Sequence, residues 1–286
     1  MRGDEFGIRV GVDIGGTFTD FVFLTPDGRL QKRKVSSTPE DYAEAIVAGI
    51  LDVLDGKNTF IDEVVHATTV ATNAILERRG ARTAMITTAG FRDILELRRI
   101  RIPLSYDLEW EKPPPLAERA LRFEVKERLD NFGAVLTPLD LSGLDKIVET
   151  CISEKVAAIA VCFLHSYRNG DHERQVRDFI APKLPGVHIS LSSDILPELQ
   201  EFERASTTVV NAYVAPLIAE YLANLRRKLD DIKALAPILV MQSNGGLVPS
   251  QTASERPVSI IESGPAAGVV AALRASLDAG QQNVIT

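Results

Sequence analysis

Two cysteines and four histidines in 286 residues exclude several kinds of chemistry at the outset. Cys151 and Cys162 cannot build a disulfide framework, and no histidine stands at metal-ligand spacing with them. A reducing, cytoplasmic compartment is expected from that cysteine usage. Long hydrophobic runs are missing too. None reaches the roughly 18 residues of a membrane helix, and the short charged start, Met1 to Gly7, has no secretory signal pattern. Basic excess is absent: 32 Lys and Arg face 39 Asp and Glu, for a net charge of −7. That argues against non-specific nucleic-acid binding, which needs a basic surface. No Lys-Ser or Lys-Thr follows a Gly-rich loop, so there is no P-loop, and no G-x-G-x-x-G opens a helix. What remains is ordinary for a globular protein of one or two domains, with 45% hydrophobic and 25% charged residues.

The chain is organised around Val10-Gly11-Val12-Asp13-Ile14-Gly15-Gly16-Thr17-Phe18-Thr19-Asp20-Phe21. An apolar run from Ile8 to Ile14 carries one acid, Asp13. Gly15 and Gly16 permit a tight turn and let backbone N–H groups approach an anion. Alternation along a strand places Thr17 and Thr19 on one face. Carboxylate, bare backbone and hydroxyls together suit a magnesium-bound polyphosphate. Asp13 is the candidate metal ligand and a candidate catalytic residue. Gly15, Gly16 and Thr17 are the phosphate-binding candidates, with Thr19 in support. The alternative is a hairpin whose glycines only turn the chain. Thr17 to Leu24 reads as a second strand, Pro26-Asp27-Gly28 as a turn, and Arg29 to Val35 as a third strand.

Downstream, Thr38-Pro39-Glu40-Asp41 reads as a helix start, with Thr38 the N-cap candidate and Gly56 the stop. Glu63 to His66 is a short strand. It leads through Ala67-Thr68-Thr69 into a helix from Val70 to Arg79. His66, Thr68 and Thr69 are catalytic-cleft candidates there, against the plainer reading of a Thr cap beside a satisfied histidine. Arg98, Arg99 and Arg101 form a basic cluster that reads first as a solvated face. Pro103 to Pro115 reads as an irregular loop. From Thr83 to Leu191, strands and helices alternate. Val156 to Leu164 is a continuous apolar strand, which argues a parallel sheet. Cys162, inside it, reads as core. Glu198 to about Ile232 is a long helical stretch that Pro216 should kink or divide. Ile238 to Gln242 is a strand. Asn244, Gly245 and Gly246 follow it in a loop, and Glu262-Ser263-Gly264 opens a small-residue helix; these are the remaining cofactor-binding candidates.

The Asp13 hairpin resembles the first phosphate hairpin of the actin, heat-shock ATPase and sugar-kinase superfamily. Its longer form, Gly11 to Asp20, resembles the hydantoinase A, 5-oxoprolinase and acetone carboxylase family. So do His66-Ala67-Thr68-Thr69-Val70-Ala71-Thr72-Asn73-Ala74, with Ala67 where the pattern has Gly, and Glu201 to Val214. The resemblance runs from about Ile8 to Thr286. It implies an α/β fold with a ribonuclease H-like (actin-like ATPase) first lobe and additional βα units, truncated before the second lobe. The implied division is 1–200 for the hydantoinase/oxoprolinase N-terminal domain and 201–286 for the start of the hydantoinase A domain. The implied activity is ATP- and Mg2+-dependent opening of a cyclic amide by phosphorylation of the amide oxygen, with ketone carboxylation as the alternative. A sugar or acetate kinase, or a non-catalytic fragment, is the further alternative. A hydantoinase B-type subunit or domain is the implied partner, and homo-oligomer formation is left open. The fragment alone is expected to be inactive.

Overall fold

The structure, a computed structural model, describes residues 7–38, 41–54, 60–99, 106–107 and 109–285. The chain divides into two compact units, Met1–Glu77 with Leu217–Thr286, and Arg78–Pro216. In the first, a three-stranded meander is formed by β1 (Ile8–Ile14), β2 (Phe18–Leu24) and β3 (Leu30–Ser36). Then come α1 (Tyr42–Leu54), β4 (Ile61–Thr68) and α2 (Val70–Leu76). The second unit holds β5 (Thr83–Thr88), α3 (Ile94–Leu97), β6 (Arg122–Val125), β7 (Arg128–Leu129), β8 (Val135–Thr137) and α4 (Leu144–Ser153). It continues with β9 (Ala158–Cys162), α5 (Asp171–Ile180), β10 (His188–Leu191) and α6 (Ser192–Ile195). Helix α7 (Glu201–Asp231) ends it and runs on into the first unit. There β11 (Ile238–Met241), β12 (Leu247–Pro249), α8 (Ser250–Glu255) and α9 (Ser263–Asp278) follow.

The first unit's sheet has the order β12-β11-β4-β1-β2-β3. Strands β1, β4 and β11 are mutually parallel, and β2 is antiparallel to both β1 and β3. This is the ribonuclease H-like arrangement, and it puts the carboxyl ends of β1, β4 and β11 at one end of the sheet. Alternation buries Phe21 and Phe23 of β2, stacked 5.8 Å apart, and leaves Phe18, Asp20 and Val22 exposed. Helix α1 comes close to that buried face through Gly49, where a Cβ would lie 2.4 Å from the Phe21 ring. The second unit's sheet, β10-β9-β5-β6, is parallel throughout. Its central strand β9 is buried along its whole length, as the continuous apolar run predicts. Burial pushes the thiols of Cys151 and Cys162 up to about 11, so both are inert core groups at neutral pH.

Several elements depart from expectation. The N-cap of α1 is Asp41, whose Oδ1 accepts the Ala43 N–H at 3.1 Å; Thr38 instead bonds the Asp41 carbonyl. Pro39, Glu40, Gly56 and Arg101 lie outside the described residues, as do 102–105 and 108 of the Pro-rich stretch. Strand β4 extends through Thr68, and α2 stops at Leu76. Ahead of α4, which begins at Leu144, the Asp140 carboxylate takes the Ser142 N–H and holds a turn. Helix α7 continues through Pro216 as one helix of 31 residues. Buried residues on both sides of the proline, Val214 and Ala215 before it and Ile218 and Tyr221 after it, outweigh the lost backbone bond. In the basic cluster, Arg99 pairs with Glu203 and Arg98 bonds the Pro113 carbonyl, so both serve local structure. Among the described residues no helix is long and apolar enough to cross a membrane. Val269, Val270, Leu273 and Leu277 of α9 are exposed.

Candidate functional site

Everything proposed from sequence lies in the first unit, and much of it gathers at the carboxyl end of its sheet. Asp13 is the penultimate residue of β1, paired in register with Asp20 on β2 and Ala67 on β4. Its side chain is exposed. The carboxyl is raised above the usual range, first by partial burial and then by the negative charge of Asp20. Asp20 itself is gripped through both oxygens by Lys34, at 2.9 Å each.

The hairpin after Asp13 is closed by the Gly15 N–H on the Phe18 carbonyl at 3.0 Å. Gly16 and Thr17 form its exposed tip. Neither Gly15 nor Gly16 takes a left-handed conformation, unlike Gly28 in the next turn (φ +80°). Gly15 still serves the turn, since a Cβ on it would lie 3.2 Å from the Phe18 carbonyl oxygen. A Cβ on Gly16 would meet nothing within 4 Å, so the space beside that backbone is open. The Gly16 and Thr17 N–H groups meet no acceptor among the described residues.

Thr17 and Thr19 do not share a face. Thr17 precedes β2 and is exposed. Thr19, inside β2, is fully buried, and its Oγ lies 3.0 Å from Ser37 Oγ. It braces the hairpin from within and does not reach a ligand. His66 is also corrected. It is fully buried in β4, its Nε2 lies 2.6 Å from the Tyr221 hydroxyl, and burial pushes its pKa down to about 4. The ring is uncharged at pH 7 and enclosed in the core, away from the surface of the hairpin.

Thr68 is buried as well. Its N–H donates to Ser263 Oγ at 3.1 Å, its carbonyl accepts from the same hydroxyl at 2.9 Å, and its own Oγ accepts the Val70 N–H. It joins β4 to the start of α9. Thr69 is half-buried and reaches the hairpin, donating its hydroxyl to the Ile14 carbonyl at 3.1 Å. Gly264 abuts it: a Cβ would sit 3.5 Å from Thr69 Cγ2. Asn244, Gly245 and Gly246 make the turn from β11 to β12, where the Asn244 carboxamide accepts the Gly246 N–H at 2.8 Å. Gly245 is left-handed (φ +84°) and close to Val270. Ser243 ties this turn to α9, since its Oγ accepts the Glu262 N–H at 3.2 Å.

The structure thus brings together Asp13, Gly15, Gly16, Thr17, Thr69 and Gly264, with the Asn244 turn stitched on through α9. Thr19, His66 and Thr68 fall inside. Sequence reading missed Ser37, Tyr221 and, as an anchor, Ser263. Each acts across a separation of 18 or more residues, which local spacing does not reveal.

The chain matches the family described as Hydantoinase/oxoprolinase N-terminal region over residues 9–184, and Hydantoinase/oxoprolinase over residues 204–286. It belongs to the hydantoinase/oxoprolinase family. It is 33% identical to caprolactamase subunit alpha of Pseudomonas jessenii over 97% of this chain and 41% of that one. It is 35% identical to 5-oxoprolinase 1 of Arabidopsis thaliana over 93% of this chain and 23% of that one. The crystal structure of the ATP-dependent caprolactamase superposes with a TM-score of 0.86. Nucleotide-free acetone carboxylase superposes with a TM-score of 0.85 at 26% identity, over 96% of this chain and 41% of that one. The chain therefore spans well under half the length of these family members.

Proposed function

We propose that this chain supplies a phosphate-binding lobe to an enzyme that uses ATP to open a cyclic amide. One observation carries the reading. Gly16 has a backbone that any residue could adopt, yet open space where its side chain would be, and an N–H with no described acceptor beside an exposed carboxylate. A turn alone does not need glycine there; an approaching anion does. Gly16 and Thr17 would hold phosphate oxygens. Asp13 would hold Mg2+, in part through water. A single protein carboxylate fits a magnesium ion that takes its other ligands from phosphates and water. ATP, when bound, would supply a phosphoryl group to the ring's amide oxygen, making the amide carbon electrophilic enough for water to add and the C–N bond to break; a second water would then release the phosphoryl group as phosphate and leave the carboxylate. The residues named here position and neutralise, which is most of what phosphoryl transfer asks of a protein.

The names of the relatives support the substrate class, since caprolactam and 5-oxoproline are both cyclic amides. The word "subunit" in the first supports a partner chain, for which a hydantoinase B-type protein is our candidate. A second reading, ATP-dependent ketone carboxylation, rests on the acetone carboxylase superposition. The two separate in one assay of the full-length protein with its partner. Lactam-stimulated ATP hydrolysis with ring-opened product supports the first. Turnover that needs a ketone and bicarbonate overturns it in favour of the second. The 286-residue chain alone is expected to bind Mg-ATP weakly and not to turn it over. Two amides and one carboxylate must offset an estimated 4–15 kcal/mol or more of lost translational and rotational freedom.

Gly16→Ala gives a direct check of the phosphate assignment. The added methyl has room in the free protein, so the melting temperature should stay close to wild type. In the full-length protein the same methyl would occupy the approach of a phosphate oxygen, and Mg-ATP affinity should fall by about ten-fold or more, as for a lost charge-assisted hydrogen bond. Scanning calorimetry reads the first and calorimetric titration the second; unchanged affinity would return the hairpin to a plain turn.

A further inference from the structure

The carbonyl groups of the hairpin are accounted for almost completely, and the residue that does most of it lies outside the motif. Ser37 follows β3 and is half-buried. Its N–H donates to the Thr17 carbonyl at 2.9 Å, and its Oγ donates to the Gly15 carbonyl at 2.8 Å. A serine hydroxyl has one proton. With that proton on Gly15, the 3.0 Å contact between Ser37 Oγ and Thr19 Oγ must be a bond donated by Thr19. The relay runs Thr19 to Ser37 to Gly15. Thr69 completes it from the far side by donating to the Ile14 carbonyl at 3.1 Å.

Three of the four carbonyls from Ile14 to Thr17 are thereby turned toward protein donors. In a trans peptide the N–H points opposite to the C=O of the same unit. Pulling the Gly15 carbonyl toward Ser37 therefore drives the Gly16 N–H to the opposite, open side. Freed from Ser37, that peptide could rotate and present a carbonyl oxygen to an incoming phosphate, where it would repel it.

We propose that Ser37, assisted by Thr69, is a positioning residue for nucleotide phosphate: it holds the hairpin carbonyls back so that the Gly16 amide is set for an anion before the anion arrives. The inference rests on the phosphate reading of the hairpin. Its energetic logic is preorganisation, since a donor already aimed costs no rearrangement on binding. It also changes the role of Thr69 from a cleft group that touches substrate to one that acts through the hairpin.

The test uses the full-length protein and Mg-ATP, with affinity measured by calorimetry well below each variant's melting temperature. Ser37→Ala is expected to weaken binding about ten-fold. Thr69→Val, which keeps the shape and removes only the hydroxyl, is expected to weaken it several-fold. Ser37→Thr, which restores a hydroxyl, should recover most of the affinity. A purely structural serine would shift the melting temperature and leave the dissociation constant of the folded protein unchanged. Wild-type affinity in both Ser37→Ala and Thr69→Val, alongside weakened Gly16→Ala, would overturn the positioning role and leave the phosphate site standing. Wild-type affinity in all three, or no binding by the unaltered protein, would overturn the phosphate reading and this inference with it. Should Ser37→Ala fail to fold, Thr69→Val decides alone by the same criterion.

Discussion

Asp13→Asn should abolish the proposed magnesium-dependent ATP turnover of the full-length protein and, in the same molecule, stabilise the fold at neutral pH. The two effects have one cause. The Asp13 carboxylate is partly desolvated and faces Asp20 across the β1–β2 pair, so its proton is held more tightly in the folded chain than in the unfolded one. A folded pKa above the unfolded value means that the ionised carboxylate costs stability at pH values above both, and that this cost fades as pH falls through the folded pKa. Asparagine carries no such charge. Melting temperatures should therefore favour the variant at pH 7, with the gap closing in the acid range just above the ordinary aspartate pKa. A gap that widens on acidification would contradict the assignment. Turnover should fall by about a hundred-fold or more, because a metal ion that neutralises phosphoryl charge contributes several kcal/mol to the barrier. Turnover within a few-fold of wild type would take Asp13 out of the reaction.

The second large effect lies away from the site. Arg204→Ala should destabilise the second unit by about 2–5 kcal/mol, the range for truncating a large buried side chain and leaving its buried hydrogen-bond partners unsatisfied. Arg204, on the first turn of α7, is 1% exposed. Its Nη1 donates to the Phe163 carbonyl at 2.6 Å, to Ser192 Oγ at 2.8 Å, and to Ser166 Oγ. Ser192 in turn donates to Glu173, which is 0% exposed and also accepts the Phe163 and Ser193 N–H groups. Removing the guanidinium leaves the Phe163 carbonyl, Ser166 and Ser192 without their Arg204 donor, and Ser192 is one of the residues that hold Glu173. Chemical denaturation of the full chain, followed by a probe in the second unit, checks this. A loss below about 1 kcal/mol would mean that these acceptors are satisfied without the guanidinium. The Arg204→Met variant would separate charge from packing, since it retains most of the side-chain volume.

Much of this protein was settled by short-range pattern. The run Ile8–Ile14, the glycines and the alternating strand after them specify a hairpin, because side-chain period and turn chemistry are local properties. The apolar stretch around β9 specifies a parallel, doubly covered strand for the same reason. Position in the motif also placed Asp13 at the end of β1 and Gly16 at the open tip. Tertiary structure alone decided which polar groups face outward. Thr19, His66 and Thr68 read as site residues in sequence, yet burial and partners such as Ser37, Tyr221 and Ser263 make them internal. Ser37 looks unremarkable in sequence, because its importance lies in bonds to carbonyls 20 and 22 residues away. Pro216 reads as a break, and remains helical because α7 is anchored on both sides of it. The physical reason is common to all of these. Propensity and period act over a few residues, whereas desolvation and hydrogen-bond satisfaction depend on what the folded chain brings alongside, and they decide whether a polar side chain serves the site or the core.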